Sequence, residues 1–160
     1  MSGLAALPVL IIMSKPIERE GYSIVMADDD IDDQALVKQA FRNVNVNHVF
    51  TSVYNGVQLM EFLLKRGSYR NAVESPPDLI IMDIRMNLLD GFETISTLRN
   101  YKELQKIPIY ILSNSSNAED RDRGRQLGVR AFYSKPDNPD EWPQITRNIF
   151  KDLAVVKNEN

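Results

Sequence analysis

Four times along this chain a short, almost wholly apolar run breaks off at a residue with reactive or charged chemistry. YSIVMA (22–27) leads into Asp28, and DLIIMD (78–83) closes on Asp83. IPIYILS (107–113) closes on Ser113, and VRAFYS (129–134) leads into Lys135. Continuous apolar runs of this length suit strands covered on both faces, as in a parallel sheet. A further strand is predicted around His48 to Val53.

The segments between the runs carry a helical period. Ile31 to Asn43 offers Ile31, Leu36, Val37, Ala40 and Phe41 as an inner face. Asn55-Gly56 opens a helix through Arg66, with Val57, Leu59, Met60, Phe62, Leu63 and Leu64 on its apolar side. GSYRNAVESPP (67–77) has turn composition and reads as a loop. Asp90-Gly91 starts a helix to about Tyr101, Asn117 is placed to cap one ending near Gly128, and a last helix runs from Pro139 to Leu153. Parallel strands need crossover helices, so the alternation predicts an α/β fold with a doubly wound five-stranded parallel sheet. The expected organisation is a tail at 1–20, one domain at 21–153 and a polar tail at 154–160.

Bulk properties narrow the function. A net charge of −3 argues against a nucleic-acid partner, which needs a basic face. The chain has no cysteine, so disulfide, thiolate and Cys-zinc chemistry are excluded. The apolar start MSGLAALPVLII is too short to span a bilayer and lacks a basic leader. The expectation is a soluble, cytoplasmic protein with no membrane partner, with Met13 as an alternative start.

In doubly wound sheets, ligands bind outside the carboxyl ends of the strands. Asp28, Asp29 and Asp30 lie at one such end, and Asp83, Ser113 and Lys135 at three others. An acidic cluster at a strand end commonly serves as a helix cap. Asp83 resists that reading, because a carboxylate closing a buried strand is costly unless something pairs it. Clustered carboxylates repel, and a hard cation such as Mg²⁺ resolves the conflict. Asp29 and Asp83 are expected as direct ligands, with Asp28 acting through water. Lys135 and the Ser113 hydroxyl would then hold a phosphoryl group, and Asp83 would be its acceptor.

These motifs resemble the receiver domains of two-component response regulators over roughly Tyr22 to Leu153. The matching stretches are MADDDIDD (26–33), LIIMDIRM (79–86), LSNS (112–115) and FYSKP (132–136). The resemblance implies a flavodoxin-like (β/α)5 fold with strand order 2-1-3-4-5. It implies phosphorylation of Asp83 by a sensor histidine kinase or phosphotransfer protein, and a Mg²⁺ site completed by the backbone carbonyl of Arg85. It also implies a switch formed by Ser113 and Phe132, a cis Lys135–Pro136 peptide, and a downstream protein target. The loop 67–77 and the SNSS segment are similar to the single-domain subgroup of phytochrome-partner regulators, and a homodimer is compatible with this. Such a protein is a phosphoryl acceptor with self-phosphorylation and self-dephosphorylation chemistry rather than an enzyme. Asn87 departs from the family pattern, where many receivers have proline, and Asn114 takes the small-residue position after Ser113.

Two other functions fit parts of the pattern. A haloacid-dehalogenase-type phosphatase would use Asp28 and Asp30 as its D-x-D, but it needs an acidic pair on a strand after the lysine and leaves Asp83 unexplained. A receiver-fold binding module that signals without phosphate would have no need of all five site residues. His48 and Trp142 are read as packing residues, and Arg121, Arg123 and Arg125 as a solvated face.

Overall fold

The central strands are buried on both faces, the Ala131–Ser134 strand being half-buried, so the period of two along each strand sends side chains into two separate cores. A computed structural model describes residues 21–72, 75–115 and 117–159; the expected N-terminal tail lies outside them. The elements are β1 (Tyr22–Ala27), α1 (Ile31–Arg42), β2 (His48–Val53), α2 (Gly56–Leu63), β3 (Leu79–Met82), α3 (Gly91–Leu98), β4 (Ile109–Ser113), α4 (Ala118–Gln126), β5 (Ala131–Ser134) and α5 (Trp142–Asn158). Every strand pairing is parallel, and the order is β2-β1-β3-β4-β5. This is the flavodoxin-like doubly wound sheet that the sequence implies.

Ile24, Met26, Leu79, Ile81, Tyr110 and Leu112 face one layer, where they meet Val37 and Phe41 of α1 and Trp142, Ile149 and Leu153 of α5. Val25, Ala27, Ile80, Met82, Ile109 and Ile111 face the other, against Leu59 of α2 and Phe92, Ile95 and Leu98 of α3. Helix α4 contributes little to either core. Its sequence AEDRDRGRQ buries only Gly124, which lies close to Ile111, Val129 and Phe132.

Element ends differ from the expected ones for local reasons. β4 starts at Ile109 because Pro108 has no N–H to give a ladder. β3 is shorter than 78–83, although Asp78 and Asp83 still donate to the Ser23 and Ala27 carbonyls at 2.8 and 2.9 Å. β5 begins at Ala131, after Gly128 in the left-handed region. α2 stops at Leu63 rather than Arg66, because Lys65 turns left-handed at φ 52° and Arg66 N–H folds back to the Glu61 carbonyl. α3 stops at Leu98, short of Tyr101. The loop after α2 holds a 3₁₀ turn at Gly67–Tyr69, and another at Pro139–Glu141 precedes α5. α5 continues to Asn158, past the expected end at Leu153.

Two residues placed on the inner face of α1 are outside it. Ile31 is 67% exposed and Leu36 is 46% exposed. The inward stripe is Gln34, Val37, Ala40 and Phe41, so a polar residue occupies the position that the apolar pattern gave to its neighbours. His48 packs as expected, its ring near Phe41 and Phe150 and its Nδ1 2.7 Å from the Val46 carbonyl.

Gly91 marks a close approach of α3 to the backbone at the end of β3. A Cβ there would collide with the Asp83 carbonyl oxygen and lie 2.9 Å from Ile84 Cα, both rigid backbone. Gly91→Ala is therefore expected to lower unfolding free energy by about 1–3 kcal/mol, the range for overpacking. Urea denaturation measures it; an unchanged midpoint would contradict the close packing.

Candidate functional site

The fold brings the strand ends together. β1 and β3 are neighbours, with Ala27 opposite Met82, so Asp28 and Asp83 follow side by side. β4 and β5 then set Ser113 opposite Ser134, one residue before Lys135. Asp28 and Ser113 are fully buried, and Asp83 is 5% exposed. Carboxylate oxygens of Asp28, Asp29 and Asp83 all lie within 4.8 Å of one another.

Lys135 is the cation within this group. Its side chain is 4% exposed, and its Nζ lies 2.7 Å from Asp28 Oδ2, 2.7 Å from Asp33 Oδ2 and 3.6 Å from Asp83 Oδ1. Burial opposes its charge, but hydrogen bonds to Asp28 and Asp33, with the charges of Asp83 and Asp28, more than offset this and raise its pKa. Burial also raises Asp28, to about 6, against the pull of Lys135 and the Asp30 N–H. Asp83 is raised by burial too; Lys135, the Ser113 hydroxyl and the N–H groups of Ile84 and Arg85 act in the opposite direction.

Backbone and helix contacts hold the acids in place. Gln34, buried on α1, donates its amide to the Asp28 and Val53 carbonyls at 2.6 and 3.1 Å, tying the ends of β1 and β2 together. Asp30 is the cap of α1, accepting from Asp32 N–H and Asp33 N–H; the capping role falls on it alone of the three acids. Asp29 Oδ2 accepts from Asn87 N–H at 3.2 Å. A proline at 87 could not make this bond, so the departure from the family pattern supplies a donor to the acidic cluster.

Around the rim, Asn117 caps α4 as expected, accepting from Asp120 N–H at 2.7 Å. Ser115 donates to Asp120, and Arg85 reaches the same carboxylate at 3.6 Å. Phe132 is half-buried on β5, the edge strand next to α4. Arg121 covers its ring at 4.8 Å and donates to the Phe132 carbonyl and Ser134 Oγ. Arg123 covers Phe92 at 4.5 Å. The solvated-face reading therefore fails for Arg121, which the ring and these two acceptors draw down, whereas Arg123 stays exposed as expected while its guanidinium covers a ring. Arg125 keeps an exposed partner, Asp122. No described peptide is cis, so the Lys135–Pro136 bond is trans. Trans is the form favoured by about 0.5–1 kcal/mol before proline, and from it Lys135 reaches Asp28.

Three carboxylates facing one ammonium carry excess negative charge, and all their donors are hard oxygens. The group fits a divalent cation of the Mg²⁺ or Mn²⁺ type. A pH dependence follows. Because Asp28 titrates near 6 in the fold and near 3.8 when unperturbed, ionising it costs more folded than unfolded. Without a divalent ion, stability therefore falls as pH rises from 3.8 towards 6, and the penalty is complete above 6. Below 6 protons compete with the cation, so calorimetric divalent affinity should drop by up to about tenfold per pH unit. Affinity constant from pH 7.5 to 5 would contradict this site.

Comparison with known proteins agrees with the geometry. The family description "Response regulator receiver domain" matches residues 24–147. Response regulator Rcp1 of Synechocystis is 27% identical over 126 residues, spanning 79% of this chain and 84% of Rcp1. A longer relative, "Probable transcriptional regulator ycf29" of Pyropia yezoensis, is 39% identical over 132 residues, and the chain spans about half its length. The crystal structure of the phosphorylated cyanobacterial phytochrome response regulator RcpA superposes with a TM-score of 0.74 at 31% identity, covering 81% of this chain and 91% of RcpA. The Mn²⁺-bound form of Rcp1 gives 0.72 at 25% identity, covering 80% and 91%.

Proposed function

Since the chain belongs to the family of response regulator receiver domains, we propose that Asp83 takes a phosphoryl group from a phosphohistidine of a sensor histidine kinase or phosphotransfer protein. Mg²⁺ is the proposed cofactor, and the signal passes on through contacts with a downstream protein. The observation that supports this best is the convergence of Asp28, Asp29 and Asp83 within 4.8 Å, with Lys135 at 3.6 Å from Asp83.

An Asp83 carboxylate oxygen attacks phosphorus, the P–N bond breaks, and its electron pair returns to the donor imidazole. The product is an acyl phosphate with added negative charge in a crevice that is already anionic. Lys135 and the Ser113 hydroxyl stabilise the phosphoryl oxygens, and burial of Asp83 keeps its competing water shell small. Asp29, Asp83 and the Arg85 carbonyl would hold Mg²⁺, with Asp28 acting through water; the bound ion supplies charge neutralisation during transfer. Turnover of an external substrate is not part of this reading, so the chain acts as an acceptor rather than an enzyme.

Ser113 and Phe132 are the proposed switch. Ser113 Oγ accepts from Ser115 N–H at 3.3 Å and is drawn toward the phosphoryl group, which frees the loop leading into α4. Because α4 buries only Gly124, moving it disturbs little core. No described helix is long and apolar enough to cross a membrane, and a cytoplasmic place goes with the proposed donor.

Site mapping tests the assignment. After treatment with acetyl phosphate and Mg²⁺, reduction with borohydride should convert Asp83, and no other acid, to homoserine in the digest. Conversion elsewhere would overturn it.

A further inference from the structure

We propose that Asp33 is a positioning residue for phosphoryl transfer: together with Asp28 it pins the Lys135 ammonium so that its third proton faces the acceptor. This rests on the reading of Asp83 as phosphoryl acceptor.

An ammonium has three protons and no acceptor. Two of them are committed, to Asp28 Oδ2 and Asp33 Oδ2, each at 2.7 Å. The remaining neighbour is Asp83 Oδ1 at 3.6 Å, beyond hydrogen-bond reach yet close enough that an oxygen carried on Asp83 would meet the free proton. A lysine otherwise keeps considerable rotamer freedom on its four-carbon stem. Two short charge-assisted bonds remove that freedom before the reaction, so the cation needs little rearrangement during transfer.

The two anchors come from different parts of the fold. Asp28 ends β1, whereas Asp33 stands on the first turn of α1, with its side chain 23% exposed. An acid in a first turn also interacts favourably with the helix dipole. That effect applies equally to Asp32, which is exposed and makes no such contact. The dipole therefore accounts for an acid in this turn but not for a 2.7 Å bond to a buried lysine 102 positions away. Asp32 supplies the control.

The experiment compares Asp33→Ala, Asp33→Asn and Asp32→Ala in the full chain. Labelling by acetyl phosphate in saturating Mg²⁺ should slow about tenfold in Asp33→Ala, less than the roughly hundredfold cost of a fully misplaced group because Asp28 still holds the ammonium. Asp33→Asn, which keeps one acceptor oxygen, should fall between, and Asp32→Ala should match the parent. Adding Asp33→Ala to Lys135→Ala should cost nothing further, since the effect passes through the lysine. The ¹⁵N resonance of the Lys135 ammonium should be sharp in the parent and broadened in Asp33→Ala, before any phosphodonor is added.

An Asp33→Ala rate within twofold of the parent, or additive losses in the double variant, would overturn the role. If the parent takes up no label at all, the acceptor reading fails instead. The ammonium resonance then still decides whether Asp33 positions Lys135: an unbroadened signal in Asp33→Ala refutes it.

Discussion

Asp83→Asn will take up no phosphoryl group from acetyl phosphate and Mg²⁺, while the protein stays folded. The amide has no carboxylate oxygen to attack phosphorus, so the loss is complete rather than partial. Stability should not fall with it. Asp83 is 5% exposed, and burial raises its pKa, which means that holding it ionised costs the fold free energy. A neutral isostere removes that cost and lessens the repulsion with Asp28 and Asp29. The thermal midpoint without divalent ion should equal or exceed the parent's, and divalent affinity should weaken because one charged ligand is gone. Intact-mass measurement of labelling and a thermal melt check both parts. A variant that is labelled as well as the parent would remove Asp83 from the mechanism. A partner that binds the variant and the phosphorylated parent equally would favour the phosphate-independent binding module.

The second large effect belongs to Lys135→Ala. The substitution deletes the ammonium that lies within 3.6 Å of three carboxylates and leaves Asp28, fully buried, without its cation. Breaking a buried pair by removing one partner costs about 3–5 kcal/mol. Urea denaturation near pH 7 without divalent ion should show a loss of that order. Saturating Mg²⁺ should restore part of it, since the ion binds the folded cluster and not the unfolded chain. Some labelling should survive, because Asp83 and the proposed Mg²⁺ ligands remain, but the phosphorylated variant should no longer change its affinity for its partner. A loss under about 1 kcal/mol, indifferent to Mg²⁺, would mean that Lys135 is not the counter-ion the geometry makes it.

Polar residues that end buried strands were the legible part of this site. Asp83 and Lys135 stand out because each follows a run in which a charge has no packing purpose. The parallel order then follows from crossovers of helical length. What lay hidden were polar residues on helices. Gln34 is buried and clamps β1 to β2, yet a search for apolar periodicity passes over it and assigns its face to Ile31 and Leu36. Asp33 reads as one more acid in MADDDIDD until β5 brings Lys135 to it. The only sequence signal was its place in the first turn of the helix that follows the Asp28 strand end.

Arg121 departs from its expected solvated face for the opposite reason. It belongs to a helix that looks wholly polar, but α4 buries so little of itself that this side chain lies down over Phe132, while Arg123 covers Phe92 and stays exposed. Such contacts depend on which neighbours the fold supplies, and local composition does not carry that information. Element ends were shifted for similarly local reasons: Lys65 adopts a left-handed conformation that its residue type does not announce.

The convergence of Asp28, Asp29 and Lys135 on Asp83, the proposed acceptor, is tested most directly by the intact mass of the parent protein after acetyl phosphate, with Mg²⁺ and with EDTA. One added phosphoryl group in Mg²⁺ and none in EDTA is the expected pair of results. No addition under either condition, or equal addition under both, would contradict the site.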